Sequence, residues 1–282
     1  MAEAALGLIR KIGNLPLGAA FSVVMFAVLV ILAAIGPYVV PYDPLATVPA
    51  SAMQPPSLTH WFGTDQLGRD IFSRTITATR IDLVTALSAV LISLVTGTTI
   101  GAVAGWSGRW LDAVSTRVFD TIMAFPLFAL AVGIAAALGN SISSVIIATA
   151  IVNMPFFARQ VRTEVNRRRS AGYVEAARLA RIPAPKIVAF HIMPNLVPPL
   201  MVQSSLNMGW AILNAAGLSF IGLGIQPPDP EWGIMVADGA AYMFSGEWWV
   251  FLFPGLMLML AVLTFTLLGD ALRDWLDPRR AS

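Results

Sequence analysis

Six stretches of this chain run for 17 to 28 residues with no charged side chain except Asp120, at about 17–40, 83–106, 118–138, 142–158, 196–223 and 248–269. A bilayer's hydrocarbon core, about 30 Å thick, is crossed by roughly 20 apolar residues of helix. The runs therefore predict an all-α, polytopic membrane protein with about six transmembrane helices. The first run follows Arg10 and Lys11 and imitates a signal peptide. Its apolar stretch exceeds the 7–15 residues of an ordinary h-region, so it reads as a retained span. Residues 1–16 then form an N-terminal segment and 17–282 a membrane domain, with loops at 41–82, 159–195 and 224–247.

Composition agrees: 57% of residues are hydrophobic and 12% charged, with a mean hydropathy of +0.74, against about 25% charged in soluble domains. The net charge of +2 and pI near 9.3 do not argue for nucleic acid, because in a membrane protein the placement of basic residues matters more than their sum. With the N-terminus inside, fifteen of the 18 Lys and Arg residues fall on the cytoplasmic side, and only Arg69, Arg74 and Arg80 fall outside. The positive-inside rule then places both termini and the 159–195 loop in the cytoplasm. Trp106, Trp110, Trp248, Trp249 and Trp275 lie near span ends and read as interfacial anchors.

No Asp, Glu, His, Lys or Arg falls in the middle of a span, where proton-coupled carriers keep such groups. Asp82, Asp120 and Asp270 read as interfacial charges. The deep polar groups are amides, Asn153, Gln203, Asn207 and Asn214, each suited to an interhelical hydrogen bond. Gln203, Asn207 and Asn214 together are candidates for lining a passage for a neutral solute. Prolines at 126, 155, 198, 199 and 254 favour bent helices packed around a path.

The chain has no power source of its own. A phosphate-binding P-loop needs Gly-Lys-Ser/Thr, yet the only lysines, Lys11 and Lys186, each precede Ile. The only histidines, His60 and His191, fall on opposite predicted sides of the membrane and cannot share a metal. There is no cysteine for a thiolate site. No catalytic residue, metal site or resident cofactor is therefore expected.

The cytoplasmic loop is the most specific feature. It begins with a basic stretch, continues in good helix formers from Tyr173 to Arg181, and meets Pro183 and Pro185. A short protruding helix follows, with Tyr173, Val174, Ala176, Ala177 and Ala180 as small and apolar docking surface and Glu175 in its first turn.

Glu175-Ala176-Ala177, followed by Ile187 and Pro194-Asn195, resembles the EAA loop of ABC importer permeases. HWFGTDQLGRDIFSR at 60–74, LSFIGLGIQPPDPEWG at 218–233 and LGDALRDWLDPR at 268–279 resemble the C-type permease of dipeptide, oligopeptide and nickel importers. The resemblance implies the type I importer permease fold in a bacterial inner membrane. It also implies a coupling helix made by Tyr173, Val174, Glu175, Ala176, Ala177 and Arg181, with Ile187 and Pro194 behind it. The implied partners are a homologous B-type permease subunit, two cytoplasmic ATP-binding subunits that hold ATP and Mg, and an extracytoplasmic solute-binding protein. Arg181 departs from the pattern, which has Gly there. A side chain disfavours a left-handed turn, so Pro183 and Pro185 are expected to redirect the chain instead.

The outer segments have physical readings of their own. Gly63, Asp65, Gly68, Arg69 and Asp70 suggest a tight turn held by local charge pairing, as scaffold or as a surface for the binding protein. Asp270, Arg273, Asp274 and Asp277 stand at helical spacings, and Pro278 is expected to end the last helix. The expected function is one half of an ATP-driven import pathway for di- or oligopeptides, with nickel as the alternative cargo. A secondary carrier, or a membrane enzyme, is the alternative class.

Overall fold

The computed structural model describes residues 16–276, and helices dominate it. No strand forms among the described residues beyond an isolated bridge between Thr64 and Asp70. Arg10, Lys11, Asp277, Pro278, Arg279 and Arg280, used above, lie outside the described residues.

The first spanning helix, α1, is Leu17–Val39. Helix α2, Ile71–Ser107, has 37 residues, about 55 Å of rise, and is much longer than a bilayer requires. Asp70 caps it by accepting the Ser73 N–H at 2.7 Å, and Gly108, at a φ of 65°, ends it. The loop expected at 41–82 is therefore shorter, because residues 71–82 are the first turns of α2.

The third apolar run is broken. Helix α3, Arg109–Ala124, and helix α4, Leu127–Leu138, meet at 94°. Proline restricts the residue before it to extended backbone, and Phe125 accordingly has φ −82° and ψ 149° before Pro126. Helix α5, Ile142–Arg168, begins at Ser141, whose hydroxyl accepts the Ser144 N–H at 3.1 Å. It runs ten residues past the expected span end at 158, with Pro155 accommodated inside it. The short helix α6 is Gly172–Leu179. Helix α7, Ala184–Phe220, is one distorted rod. A helical turn at Ala184–Ile187, a π turn at Val188–Ile192 and a 3₁₀ turn at Met193–Leu196 lead into regular helix at Val197–Phe220. Helix α8, Trp232–Ala240, lies in the loop expected at 224–247, and α9, Trp249–Leu276, is the last span. Among the described residues five helices are long and apolar enough to cross a membrane, and the bent α3–α4 pair makes six.

The centre of the bundle is the seam between α2 and α5. Ser93 donates to the Ala150 carbonyl at 3.0 Å, 57 residues on. Gly97, Gly101 and Gly105 repeat that offset, facing the carbonyls of Met154, Ala158 and Arg162. A Cβ at Gly97 would stand 2.7 Å from the Met154 oxygen, one at Gly105 would stand 2.6 Å from the Arg162 oxygen, and one at Gly101 would overlap the Ala158 carbonyl. Small residues every fourth position let two helix backbones touch. The constant offset means that α2 and α5 run parallel. The α3–α4 pair between them must therefore carry the chain back across the bundle, and it counts as one crossing despite its bend.

The other contacts complete the topology. Gly36 of α1 lies on Ile76 of α2, near the opposite end of α2 from Gly105. Ser205 of α7 donates to Phe265 of α9 at 2.7 Å, and Gly269 of α9 abuts Ser205 and Leu206 whereas Gly209 of α7 abuts Val262, an antiparallel pairing. Leu17, the α6 loop and Leu276 therefore lie at one end of the bundle, and residues 40–70 and 221–248 at the other.

That second end is a hydrogen-bonded cap. Asp65 accepts the N–H groups of Leu67 and Arg69, both at 2.9 Å, and the Arg69 Nε at 2.6 Å. Arg74 approaches Asp65 at 3.8 Å and donates to the carbonyls of Pro44 at 2.9 Å and Pro228 at 3.4 Å. The charge pairing expected of this segment is present. Asp82, expected at the interface, is instead 1% exposed and accepts the Trp232 N–H at 3.2 Å. The Trp232 indole donates to Thr75 at 3.0 Å, and Glu231 caps α8 through the Ile234 N–H at 2.8 Å. Burial pushes the Glu231 carboxyl above the ordinary glutamate range, against the Ile234 N–H that pulls it down. Trp249 is also no interfacial anchor: it is 8% exposed, and its indole donates to Thr64 at 3.2 Å.

The seam makes a direct prediction. Gly101→Ala should cost about 1–3 kcal/mol through overpacking, read as a lower unfolding temperature in detergent. Gly133→Ala in α4, where an added Cβ meets nothing within 4 Å, should be neutral or slightly stabilising. Equal unfolding temperatures for both variants would dismiss the seam.

Candidate functional site

The loop between α5 and α7 is folded by its own backbone. Glu175 lies in the first turn of α6, where a negative charge favours the helix N-terminus. At the other end the Ile182 N–H reaches the Ala177 carbonyl at 3.1 Å and the Arg181 N–H reaches the Arg178 carbonyl at 2.9 Å. This pair of bonds closes a Schellman turn, in which the residue after the cap takes left-handed backbone. That residue is Arg181, with a φ of 56°. The expectation that Pro183 and Pro185 would spare Arg181 this conformation is corrected. The two trailing bonds hold a side chain where Gly is cheaper by roughly 1–2 kcal/mol. Pro183 and Pro185 act one step later, starting α7, with Pro183 as its N-cap.

Burial divides the candidate docking residues into two sets. Val174 and Ala177 are buried at 0% and 6% and pack with Ile187 and Val165 in the bundle's own core. They anchor the loop, which corrects their expected place on the docking surface. Three residues advance a helix by about 300°, so one face carries both inward. Tyr173, Glu175, Ala176, Leu179 and Ala180 face out, as does Arg181. Leu179, 86% exposed, is the apolar tip. A further anchor comes from Arg178, whose guanidinium lies 4.7 Å over the Trp106 ring of α2. Such a contact is worth about 0.5–1 kcal/mol at an exposed site, and it makes Trp106 a partner of the loop as well as an interfacial residue.

The Pro194-Asn195 pair has a mechanical role. Pro194 has no N–H to give the helix, and the chain passes from π to 3₁₀ geometry at that point. The Asn195 side chain donates to the His191 carbonyl at 2.8 Å, satisfying an acceptor within the distortion. The loop is thus joined to the regular part of α7 through a stretch with irregular bonding.

Gln203, Asn207 and Asn214 occupy neighbouring positions round α7 but have different environments. Gln203 is partly exposed, on the side that carries exposed Trp210, Leu213 and Phe220. Asn207 is 2% exposed and donates to the Gln203 carbonyl at 3.0 Å, and Asn214 is 9% exposed. The helix turns about 40° in four residues, which carries Asn207 off the open face and under its neighbours. Of the three, which were expected to line a passage together, Gln203 alone is partly exposed, and Asn207 and Asn214 are buried. Gln160 of α5 braces α7 by donating to Pro199 at 3.3 Å.

The sequence reading missed the Gly97, Gly101 and Gly105 seam and the Asp82–Glu231–Trp232 contact. The glycines carry a signal at spacings of four in an apolar run. The buried contact carries none, since its members are about 150 residues apart.

Residues 97–282 match the family described as the binding-protein-dependent transport system inner membrane component. The chain is 46% identical over 236 residues to the dipeptide transport system permease protein DppC of Alkalihalophilus pseudofirmus, covering 84% of this chain and 77% of the relative. It is 39% identical to the probable D,D-dipeptide transport system permease protein DdpC of Escherichia coli, covering 92% and 86%. It is 38% identical to the nickel transport system permease protein NikC of Escherichia coli, covering 91% and 92%.

The left-handed turn can be tested in this chain alone. Arg181→Gly should retain the fold and stabilise the loop by about 1 kcal/mol, read as slower proteolysis between α6 and α7. Arg181→Val should instead weaken the loop relative to the parent, because a β-branched side chain tolerates this backbone worst. Faster cleavage of the glycine variant than of the parent would contradict the assignment.

Proposed function

The chain belongs to the binding-protein-dependent transport system inner membrane components, and on that premise we propose that it forms half of an ATP-driven import pathway for di- or oligopeptides. The observation that carries the reading is α6, a short helix fastened inward by Val174 and Ala177 and presenting Tyr173, Glu175, Ala176 and Leu179 outward. A solvent-facing apolar tip beside a carboxylate suits a groove on a soluble partner. The partners are two cytoplasmic ATP-binding subunits that hold ATP and Mg, a homologous B-type permease, and an extracytoplasmic solute-binding protein. This chain contributes no cofactor and no catalysis. ATP hydrolysis belongs to the ATP-binding subunits, and their motion enters through α6 and travels by way of Pro194 and Asn195 to the helix that carries Gln203.

The distribution of Lys and Arg supports an α6 end facing the cytoplasm. Arg159, Arg162, Arg167, Arg168, Arg169, Arg178, Arg181 and Lys186 cluster there, whereas residues 224–247 contain no basic residue. Peptide cargo is supported by relatives such as DppC, and nickel is the second reading because NikC is a relative of similar identity. Cargo would be selected by the binding protein.

Two measurements test the proposal. With Ser170→Cys and Ser57→Cys introduced separately, an impermeant thiol reagent applied to intact cells should label only position 57. Labelling of position 170 would invert the orientation. Glu175→Lys and Ala176→Trp, both on the outward face, should lower ATP-binding subunits retained on the purified permease pair by about tenfold or more if the contact is desolvated. Ala177→Trp should act differently, by unseating α6 from the core. Wild-type retention and cargo-stimulated hydrolysis in Glu175→Lys and Ala176→Trp would remove the coupling role from α6.

A further inference from the structure

We propose that the groove between α2 and the start of α7, at the α6 end of the bundle, holds one anionic phospholipid, its acyl chain along the groove and its phosphate among Arg169, Arg178 and Lys186. The inference rests on the orientation proposed above for naming the leaflet, but the groove's chemistry stands without it.

The groove has a volume of about 420 Å³ and runs between Ala102, Val103 and Trp106 on one wall and Pro185, Val188 and Met193 on the other. Thr98 and Thr99 also line it, but both hydroxyls donate to the Val95 carbonyl, at 3.2 and 2.7 Å, and leave methyl groups as the surface. Val103 is 51% exposed. An apolar wall at membrane depth suits hydrocarbon.

One end of the groove is different. Trp106 closes it, with the Arg178 guanidinium 4.7 Å over the ring. Arg169 lies against Gly108, immediately beyond the lining residue Ser107. Lys186, exposed, follows the lining residue Pro185. Of the nearby acids, Asp112 pairs with Arg162 and Glu164 with Arg167 and Arg168, while Glu175 is exposed on the outward face of α6. Among the described residues no carboxylate pairs with Arg169, Arg178 or Lys186. Three cations without carboxylate partners at the end of an apolar trough match an amphiphile with a negative head. A spanning helix of a partner subunit would fill the trough but leave the cations unanswered, and a soluble subunit would meet the cations but not the trough. Clustered basic residues at the cytoplasmic membrane surface are the ordinary recognition element for anionic lipid headgroups.

The purified importer complex would be exchanged into mixed micelles containing equal dioleoyl phosphatidylglycerol and dioleoyl phosphatidylcholine, and retained lipid counted by native mass spectrometry. One phosphatidylglycerol should be retained in preference to phosphatidylcholine. Lys186→Gln and Arg178→Gln should each lower that retention by about fivefold. Ala102→Phe, which fills the trough and leaves the cations in place, should lower it too, with each variant's unfolding temperature checking that it is folded. Equal retention of the two lipids, or unchanged retention in all three variants, would overturn the proposal. So would efficient cross-linking of Val103→Cys to the partner permease in membranes, since protein would then cover the groove. Retention in micelles does not depend on which face is cytoplasmic, so a failure here is separable from a failure of the thiol-labelling experiment.

Discussion

Close parallel contact between α2 and α5 is the constraint on which the remaining architecture depends. Two helices joined in sequence by a short turn pack antiparallel by default, so a parallel pair needs an intervening return. Here the return is 33 residues long, 109–141, and is spent on a helix pair bent by 94°. The bend is affordable because α3 is fastened to α5 by side chains: Arg162 reaches Asp112 and Thr116, both at 2.7 Å. Without the seam there would be no need for a return crossing between α2 and α5. With it, the loop after α5 must emerge at the same end as the C-terminus of α2, which is why Trp106 is available to Arg178.

The loop that emerges there divides its side chains between a buried face and an exposed one, and the division is set by helix period. Positions 174 and 177 turn inward together, so 173, 175, 176 and 179 turn outward together. An eight-residue helix is too short to be stable by itself, so the inward pair is what makes the outward face exist. The Schellman turn at Arg181 serves the same end, stopping the helix where Ile182 can turn back toward the core. Its left-handed residue is stabilised by the surrounding bonds, in spite of its side chain.

How far the sequence could be read follows from the range of the interactions involved. Spans, their number and the helical loop between α5 and α7 were legible because each is written in consecutive residues: apolar runs, a basic stretch, Glu175-Ala176-Ala177. Span lengths were less legible, since α2 and α5 continue beyond the hydrocarbon in polar sequence that is helical only because it packs against the cap or the loop. The 118–138 run read as one crossing because hydropathy records depth and ignores direction, although Pro126 marked the break. Asn207 and Asn214 were indistinguishable from Gln203 in composition, and only the neighbours of α7 decide which of them reaches the open face. Asp82 looked interfacial because its partner, Trp232, comes from a loop 150 residues away.

Helix α2 also links the two ends of the molecule. Its first turns are locked in the cap, where Arg74 joins Asp65 to the carbonyls of Pro44 and Pro228, and Thr75 and Asp82 hold Trp232. Its last turn carries Trp106 under Arg178. Between them lie about 55 Å of uninterrupted helix, supported along the glycine seam by backbone contact that leaves no side chain to yield. A helix held in this way is stiff against bending, whereas α7, with its π and 3₁₀ turns and four prolines in 184–220 besides Pro183, has irregular bonding where it leaves the loop. A displacement of α6 therefore meets two different responses: α2 resists or moves as a whole with the cap, and α7 can change shape at 188–196. Relative displacement of α7 against α2 is the deformation this arrangement resists least, and Gln203 lies on α7.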